Sequence, residues 1–267
     1  MGTKTRTAWT FLAPMLVVLA MVALWPLTRS VWFSFTDANI NEPGAAVLVG
    51  WDNYFGEYGL FNNPNHTEGF WASDWRVPIR NTLKFASISV LLETLFGLGV
   101  AMLLNQEFKS RALVRAAVLV PWAIPTIVSA KIWGWMPHDQ FKIMNSLLQG
   151  WGLIDQKIAW TAEPQYALWT VVLVDVWKTA VHGAADLEGT ANLPRDCYQA
   201  ARVDGVHPVR VFLKVTLPLI RPALMVAVIF RLLDALRVFD LIYVPTSNNN
   251  STMSMSGFVR LEMVDNG

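Results

Sequence analysis

Four charged residues recur at three-residue intervals inside an otherwise apolar stretch: Arg231, Asp234, Arg237 and Asp240. Residues three apart on a helix are surface neighbours, so adjacent Arg and Asp side chains at this spacing can neutralise each other. The same groups can also hydrogen-bond a polar solute. Charged side chains inside apolar helices face a bundle interior and mark pathways. Arg231 and Asp234, with Val238 one turn further on, are therefore candidates for lining one. Lys131, Asp175 and Lys178 are further charges in apolar surroundings, and Asp175 can pair with Lys178 three residues on. Trp133, Trp135, Trp169 and Trp177 could stack on a cyclic solute or belong to aromatic belts at a membrane surface. None of this is bond-making chemistry. The sequence has no convergent nucleophile–base set, no Cys/His cluster with metal-ligand spacing and no G-x-x-x-x-G-K-[ST] phosphate loop. Cys197 is the sole cysteine, which excludes an internal disulfide.

A second group of residues is suited to mechanical contact. It runs from Pro194 through Tyr198, Gln199, Ala200, Ala201, Asp204 and Gly205 to Pro208, and on to Leu217-Pro218. Asp196 suits an N-cap, and Gln199 three places on completes a capping box. Gly205 supplies a left-handed stop, and Pro208 restarts the chain in a new direction. The spacing predicts a helix–turn–helix elbow whose small residues, Ala200, Ala201 and Gly205, admit a close protein neighbour.

These residues must be positioned by membrane helices. Hydrophobic residues make up 54% of the 267 positions and charged residues 15%, well below the quarter usual in soluble domains. About 20 apolar residues cross the hydrocarbon, and five stretches approach that: 8–27, 85–104, 116–135, 166–185 and 222–244. The first is too long for a signal-peptide core and lacks a small-residue cleavage site, so it reads as a retained span. Pro121 and Pro125 predict a kink in the third. The segments 1–7, 105–115 and 191–221 hold ten Lys or Arg against Glu107, Asp196 and Asp204, which places them and the N-terminus inside. The reading is an all-α integral membrane protein, a polytopic helical bundle forming a single domain over 1–267. Residues 36–80 form an outer loop, 143–153 an amphipathic run near the interface, and 191–221 the inner elbow. Two glycosylation-type sequences, Asn65-His66-Thr67 and Asn250-Ser251-Thr252, read as chance matches. Near-neutral net charge suggests no nucleic-acid partner.

The elbow resembles the "EAA" loop of binding-protein-dependent ABC importer permeases, which has Glu-Ala-Ala, three residues, Gly and a later Leu-Pro. Gln199-Ala200-Ala201, Asp204-Gly205 and Leu217-Pro218 fall at that spacing. Trp177-Lys178-Thr179, the stretch from Phe239 to Val244, and Val49-Gly50-Trp51-Asp52-Asn53-Tyr54 extend the likeness to the sugar-uptake subgroup, the larger permease of maltose or trehalose importers. The resemblance implies a bacterial cytoplasmic-membrane subunit that forms a sugar path. Its elbow, through Tyr198, Gln199, Ala200, Ala201, Asp204, Gly205, Leu217 and Pro218, would couple to an ATP-binding subunit dimer. It also implies a second homologous permease and an extracytoplasmic sugar-binding protein. It implies no catalysis and no cofactor on this chain, ATP and Mg belonging to the partner, and a sugar path past Arg231, Asp234, Val238 and Trp177.

Three features depart from that pattern. Gln199 stands where the family has Glu, which removes a salt bridge and leaves a hydrogen bond. Residues 182–192 are polar and glycine-rich where the family is apolar, so the fourth span ends early, lines a wet cavity, or is altered there. The family also has a further span, so six are expected in the intact subunit, with Met253 onward forming the loop before it. The alternative in a different class, an ion-coupled secondary transporter, would show an inverted repeat, and none is visible.

Overall fold

The computed structural model describes residues 2–38, 46–56, 59, 61, 75–104, 106, 108–136, 143–190, 195–247 and 249–265, without the side chains of 2–5, 180–190, 195, 196, 202 and 265. Among these residues every regular element is helical, apart from a single antiparallel bridge between Thr36 and Leu48. Its contacts divide into two compact units, residues 1–76 with 260–267, and 77–259.

The first unit is dominated by α1 (Gly2–Leu19) and α2 (Trp25–Phe33), joined by a π-helical turn, Ala20–Leu24. Together they form one apolar run, Arg6–Phe33, with none of its window buried. The wide turn has a local cause. Pro26 cannot donate a backbone hydrogen bond, and its ring presses on the carbonyl four residues back. The Trp25 N–H accordingly reaches back five residues to the Ala20 carbonyl. Beyond Phe33 the chain turns through the bridge into the short α3 (Asp52–Phe55).

The second unit contains the long helices α4 (Arg76–Leu104, 29 residues) and α8 (Pro164–Thr190, 27 residues). Between them lie α5 (Arg111–Ala123), α6 (Thr126–Trp135) and α7 (Ile143–Gly150). The predicted third span is not kinked but broken, its halves α5 and α6 meeting at 88°. Proline disfavours helical geometry in the residue before it. Ile124 is extended at φ −76°, ψ 128°, and Pro125 continues at φ −53°, ψ 140°. α8 stays helical to Thr190, so the polar stretch after residue 181 does not end the helix. Its side chains, and residues 191–192, lie outside the described residues.

After α9 (Arg195–Val203), the chain runs without interruption through α10 (Pro208–Val211), a π-helical turn (Phe212–Thr216) and α11 (Leu217–Leu236). Here Pro218 follows a wide turn just as Pro26 does, and the Leu217 N–H reaches back to the Phe212 carbonyl. The fifth span, expected to run to 244, instead ends at Leu236. A non-helical Arg237–Phe239 step leads into α12 (Asp240–Thr246). Among the described residues, three helices are long and apolar enough to cross a bilayer, and the bent α5–α6 pair would make a fourth if its halves form one span. α8, with its internal charges, is not among them.

The core of this unit gathers Phe85, Ala86 and Val90 of α4, Ala130 of α6, Val171, Val172 and Val174 of α8, Ala235 of α11 and Leu241 and Ile242 of α12. The segment 250–255 is held down onto α4. Asn81 Nδ2 donates to the Asn250 and Met253 carbonyls at 3.3 and 3.2 Å, and the Met255 N–H donates to Thr82 Oγ1 at 2.9 Å. Met255–Arg260 (α13) is helical, and Met253, Gly257 and Phe258 are buried. This segment, expected as a loop, is therefore folded structure. Thr252 is fully buried against Thr246 (2.9 Å), while Asn65-His66-Thr67 lies outside the described residues.

Candidate functional site

The elbow is built from local signals. α9 begins at Arg195, which puts Asp196 inside the helix and not ahead of it as an N-cap. Gly205 adopts φ +63°. The Val206 N–H bonds the Ala201 carbonyl at 3.0 Å, closing the six-residue loop of a Schellman stop. A Cβ at Gly205 would meet nothing within 4 Å, so the glycine is required for its backbone conformation and leaves open space beside it. His207 caps the next helix, its Nδ1 accepting from the Val209 N–H at 3.3 Å, and Pro208 occupies the first turn, where a missing N–H costs nothing.

Gln199, Ala200, Val203 and Asp204 share one face of α9 and are all exposed, Val203 at 88%. Ala201 is half-buried, Leu217 is half-buried and Pro218 is exposed. One contact was not visible in the sequence. The hydroxyls of Tyr198 and Thr216 lie 2.9 Å apart, tying α9 to the π-helical turn of the second limb. Tyr198 therefore faces inward as a brace, while its neighbours present the outer face.

Of the charged residues of the spans, Asp234 and Arg237 pair at the three-residue spacing expected, while Arg231 takes its partners from other helices. Arg231 of α11 hydrogen-bonds Glu93 of α4 through Nε and through Nη2 (2.8 Å), and the same Nη2 bonds Asp175 of α8. Glu93 and Asp175 are only 5% and 6% exposed. The Ser89 hydroxyl lies 3.0 Å from Glu93 and also bonds Asp175, and Thr179 Oγ1 lies 2.7 Å from Glu93. One guanidinium thus joins two carboxylates and, through them, three helices. The planar fork of Arg suits such multiple acceptance, and a point-charge Lys would not replace it.

Lys178, the expected partner of Asp175, instead donates to Thr126 Oγ1 at 2.6 Å, at the start of α6 beside the break. Trp177 of α8 and Trp133, toward the far end of α6, meet edge to face with centroids 5.4 Å apart. Asp234 pairs with Arg237 at 2.6 Å on an exposed surface, away from Arg231's partners. Val238 is half-buried, and its carbonyl accepts from Ser254 Oγ at 3.0 Å. Lys131 is exposed. The signal for the cluster was weak but present: Glu93 was the lone charge of its span, and a lone buried carboxylate requires a cation from another helix. Among the described residues no group of three His, Cys, Asp or Glu could hold a metal ion.

Residues 93–260 match the family described as the binding-protein-dependent transport system inner membrane component. The trehalose/maltose transport system permease protein MalF of Thermococcus litoralis is 34% identical over 256 residues, 95% of this chain and 82% of the relative. The sulfoquinovosyl glycerol transport system permease protein SmoG of Agrobacterium fabrum is 33% identical over 242 residues, 90% and 74% of the two chains. The trehalose transport system permease protein SugA of Mycobacterium tuberculosis is 33% identical, covering 95% and 77%. Among solved structures, the bacterial alginate ABC transporter in complex with alginate pentasaccharide-bound periplasmic protein superposes with a TM-score of 0.74 over 98% of this chain and 86% of that one, at 18% identity. That likeness is one of fold.

Proposed function

Because the chain belongs to the family of binding-protein-dependent transport system inner membrane components, we propose that it is a permease subunit of an ATP-driven sugar importer in the bacterial inner membrane. Its substrate is a di- or oligosaccharide of the trehalose or maltose type. Its partners are a second homologous permease, an ATP-binding subunit dimer that hydrolyses ATP with Mg, and an extracytoplasmic sugar-binding protein. The relatives named for trehalose, maltose and sulfoquinovosyl glycerol support the sugar class. The excess of basic residues in the segments 1–7, 105–115 and 191–221 supports a cytoplasmic elbow and N-terminus.

The observation that carries this reading is the outer face of α9. Gln199, Ala200, Val203 and Asp204 are exposed side by side and end at a glycine with open space around it. Such a face suits a groove on a partner that pushes. Gln199 offers that partner a hydrogen bond where a glutamate would offer an ion pair.

For the sugar path the geometry favours Trp177 with Trp133, which join α8 to the second half of the broken third span. Arg231 has its guanidinium committed to two carboxylates, so it positions helices around the path and is less available to sugar hydroxyls. Asp234 and Val238 hold exposed and half-buried positions further along the same stretch.

The test is assembly and coupling. Purified from its native membrane, the chain should bring an ATP-binding subunit and a second permease with it. Gly205→Asp combines a side chain at φ +63° with a new charge on the docking face, so it should abolish sugar-stimulated ATPase activity while membrane insertion stays intact. A self-sufficient homodimer that transports without ATP would refute the proposal, as would full ATPase stimulation in the Gly205→Asp complex.

A further inference from the structure

We propose that the aromatic cluster following the first helix is a seat in the lipid headgroup interface, which anchors the outer end of that helix by contact with phospholipid. The proposal rests on the first helix crossing the bilayer, as the permease reading requires.

The cluster is a built structure. Phe35 meets Trp51 edge on at 5.2 Å, Trp51 meets Tyr54 at 5.6 Å, and Phe55 stacks on Phe61 at 5.3 Å. Asn53 Nδ2 donates to the Ser34 and Thr36 carbonyls at 2.9 and 2.7 Å, and the Tyr54 hydroxyl donates to Ser34 Oγ at 2.8 Å. Glycines close the turn after α3. A Cβ on Gly56 would lie 2.4 Å from the Asp52 carbonyl oxygen, and one on Gly59 would lie 2.7 Å from the Tyr54 carbonyl carbon. Polar groups are thus spent on holding the backbone, and large apolar side chains are turned outward. Val47, Leu48, Trp51 and Phe55 are each 61–63% exposed.

The occupant of that face follows from what it continues. The chain enters the cluster directly from a helix whose apolar window is wholly unburied. That run, Arg6–Phe33, has 28 residues, about 42 Å at 1.5 Å per residue, against a hydrocarbon core of about 30 Å. Its last turns therefore emerge at headgroup depth. Arg29 sits there over the rings of Trp25 and Phe33, at 5.9 and 4.8 Å, an arrangement of cation and aromatic rings suited to phosphate above and acyl chain below. A docking surface for a soluble protein would face water between encounters, and such surfaces are about as polar as the rest of a protein. Exposed large apolar side chains such as the neighbouring Trp51 and Phe55, whose rings lie 6.2 Å apart, would be a liability there. In the interface they contribute binding, as the apolar faces of interfacial helices do.

The test uses the whole transporter in phospholipid nanodiscs, in a Cys197→Ser background, with nitroxide labels at Phe55→Cys, Leu48→Cys and, as the mid-span reference, Val18→Cys. Power saturation compares collision with oxygen, which partitions into lipid, and with a water-soluble nickel chelate. At 48 and 55 oxygen should exceed chelate, at depths of about 5–10 Å below the headgroup boundary, unchanged when the sugar-binding protein is added. Chelate exceeding oxygen at both sites would overturn the proposal, since the face would then be in water. Suppression of both reagents would overturn it too, since a protein would then cover the face. An oxygen-rich Val18 site in either case would leave the permease reading standing while the seat falls. An aqueous Val18 site would defeat both.

Discussion

Replacing Arg231 by Met is the most informative perturbation of the bundle. Arg231 is the cation between Glu93 and Asp175, two carboxylates that are 5% and 6% exposed and approach it from different helices. Methionine keeps much of the length and apolar stem but leaves both carboxylates buried without their cation. Removing one partner of a buried ionic cluster costs about 3–5 kcal/mol, a large share of a total stability of about 5–15 kcal/mol. At 1.4 kcal/mol per tenfold, the folding equilibrium shifts by between about 10² and 10⁴. The same rule gives the control. Neutralising all three positions together, as Glu93→Gln, Asp175→Asn and Arg231→Met, removes the desolvation cost along with the attraction, and such replacements are often neutral. Equilibrium unfolding in mixed micelles, followed by tryptophan fluorescence, should therefore rank wild type and the triple variant close together and Arg231→Met far below both. The reasoning fails if Arg231→Met loses less than about 1 kcal/mol, or if the triple variant is no more stable than the single one. Sugar uptake by the stable triple variant separates two roles for Arg231. Retained uptake fits a residue that positions helices, and lost uptake in a folded, assembled protein fits one that touches the solute.

Tyr198→Phe removes the hydroxyl 2.9 Å from Thr216, worth about 0.5–1.5 kcal/mol. It should lower ATPase stimulation while costing overall stability no more than that amount, with Thr216→Val reproducing the effect and Thr216→Ser sparing it; equal loss in Thr216→Ser would show that the contact is not the cause. Pro125→Ala restores an N–H and frees Ile124 from its extended geometry. Labels at Val120→Cys and Ile132→Cys should then separate from about 13 Å across the break to about 18 Å along a straight helix, measured by dipolar EPR, and an unchanged distance would assign the break to packing and not to proline. Asn145 is buried and accepts from Trp160 Nε1 at 2.8 Å while donating to the Ile158 carbonyl at 2.9 Å. Asn145→Leu strands these groups at about 1–3 kcal/mol each, so hydrogen exchange at Ile158 should accelerate, and unchanged protection there would sink the argument.

What could be read in advance was what is decided locally. Gly205 ends α9 because its own backbone must turn left-handed, and a glycine followed three residues on by proline records that in the sequence. The consequences of proline were only half legible. Pro125 clearly disturbs its span, but whether a helix bends or breaks depends on how the neighbouring elements receive the two halves. Pro26 and Pro218 are absorbed instead by π-helical turns that widen the helix just before them, an adjustment with no residue-level signature. The ionic cluster was least legible. Arg231 has an acidic neighbour three residues away in Asp234, so the local pairing looked natural, yet its partners lie 138 and 56 residues distant in sequence. Asp175 similarly faced a local choice in Lys178. Buried groups pair with whatever the bundle brings to them, and that geometry is set by helix packing.

One helix joins the two halves of the proposed mechanism. The run from Pro208 to Leu236 is continuous, and Arg231 lies 23 residues from its start, about 35 Å along the axis. Force applied to the outer face of α9 reaches this helix at the turn after Gly205. It also reaches it at Thr216, where Tyr198 braces the π-helical turn. Without that brace the wide turn would be the soft point of the lever, because it departs from the regular hydrogen-bond ladder. At the far end Arg231 grips Glu93 and Asp175, so the helix cannot rotate or slide without carrying α4 and α8 with it or losing a buried ionic contact. An apolar interface in lipid would resist such slippage weakly, since lipid tails and leucine are equally good neighbours. A buried charge cannot exchange its partner for lipid at comparable cost. On the permease reading, the cluster is what converts a push at the elbow into concerted movement of three helices.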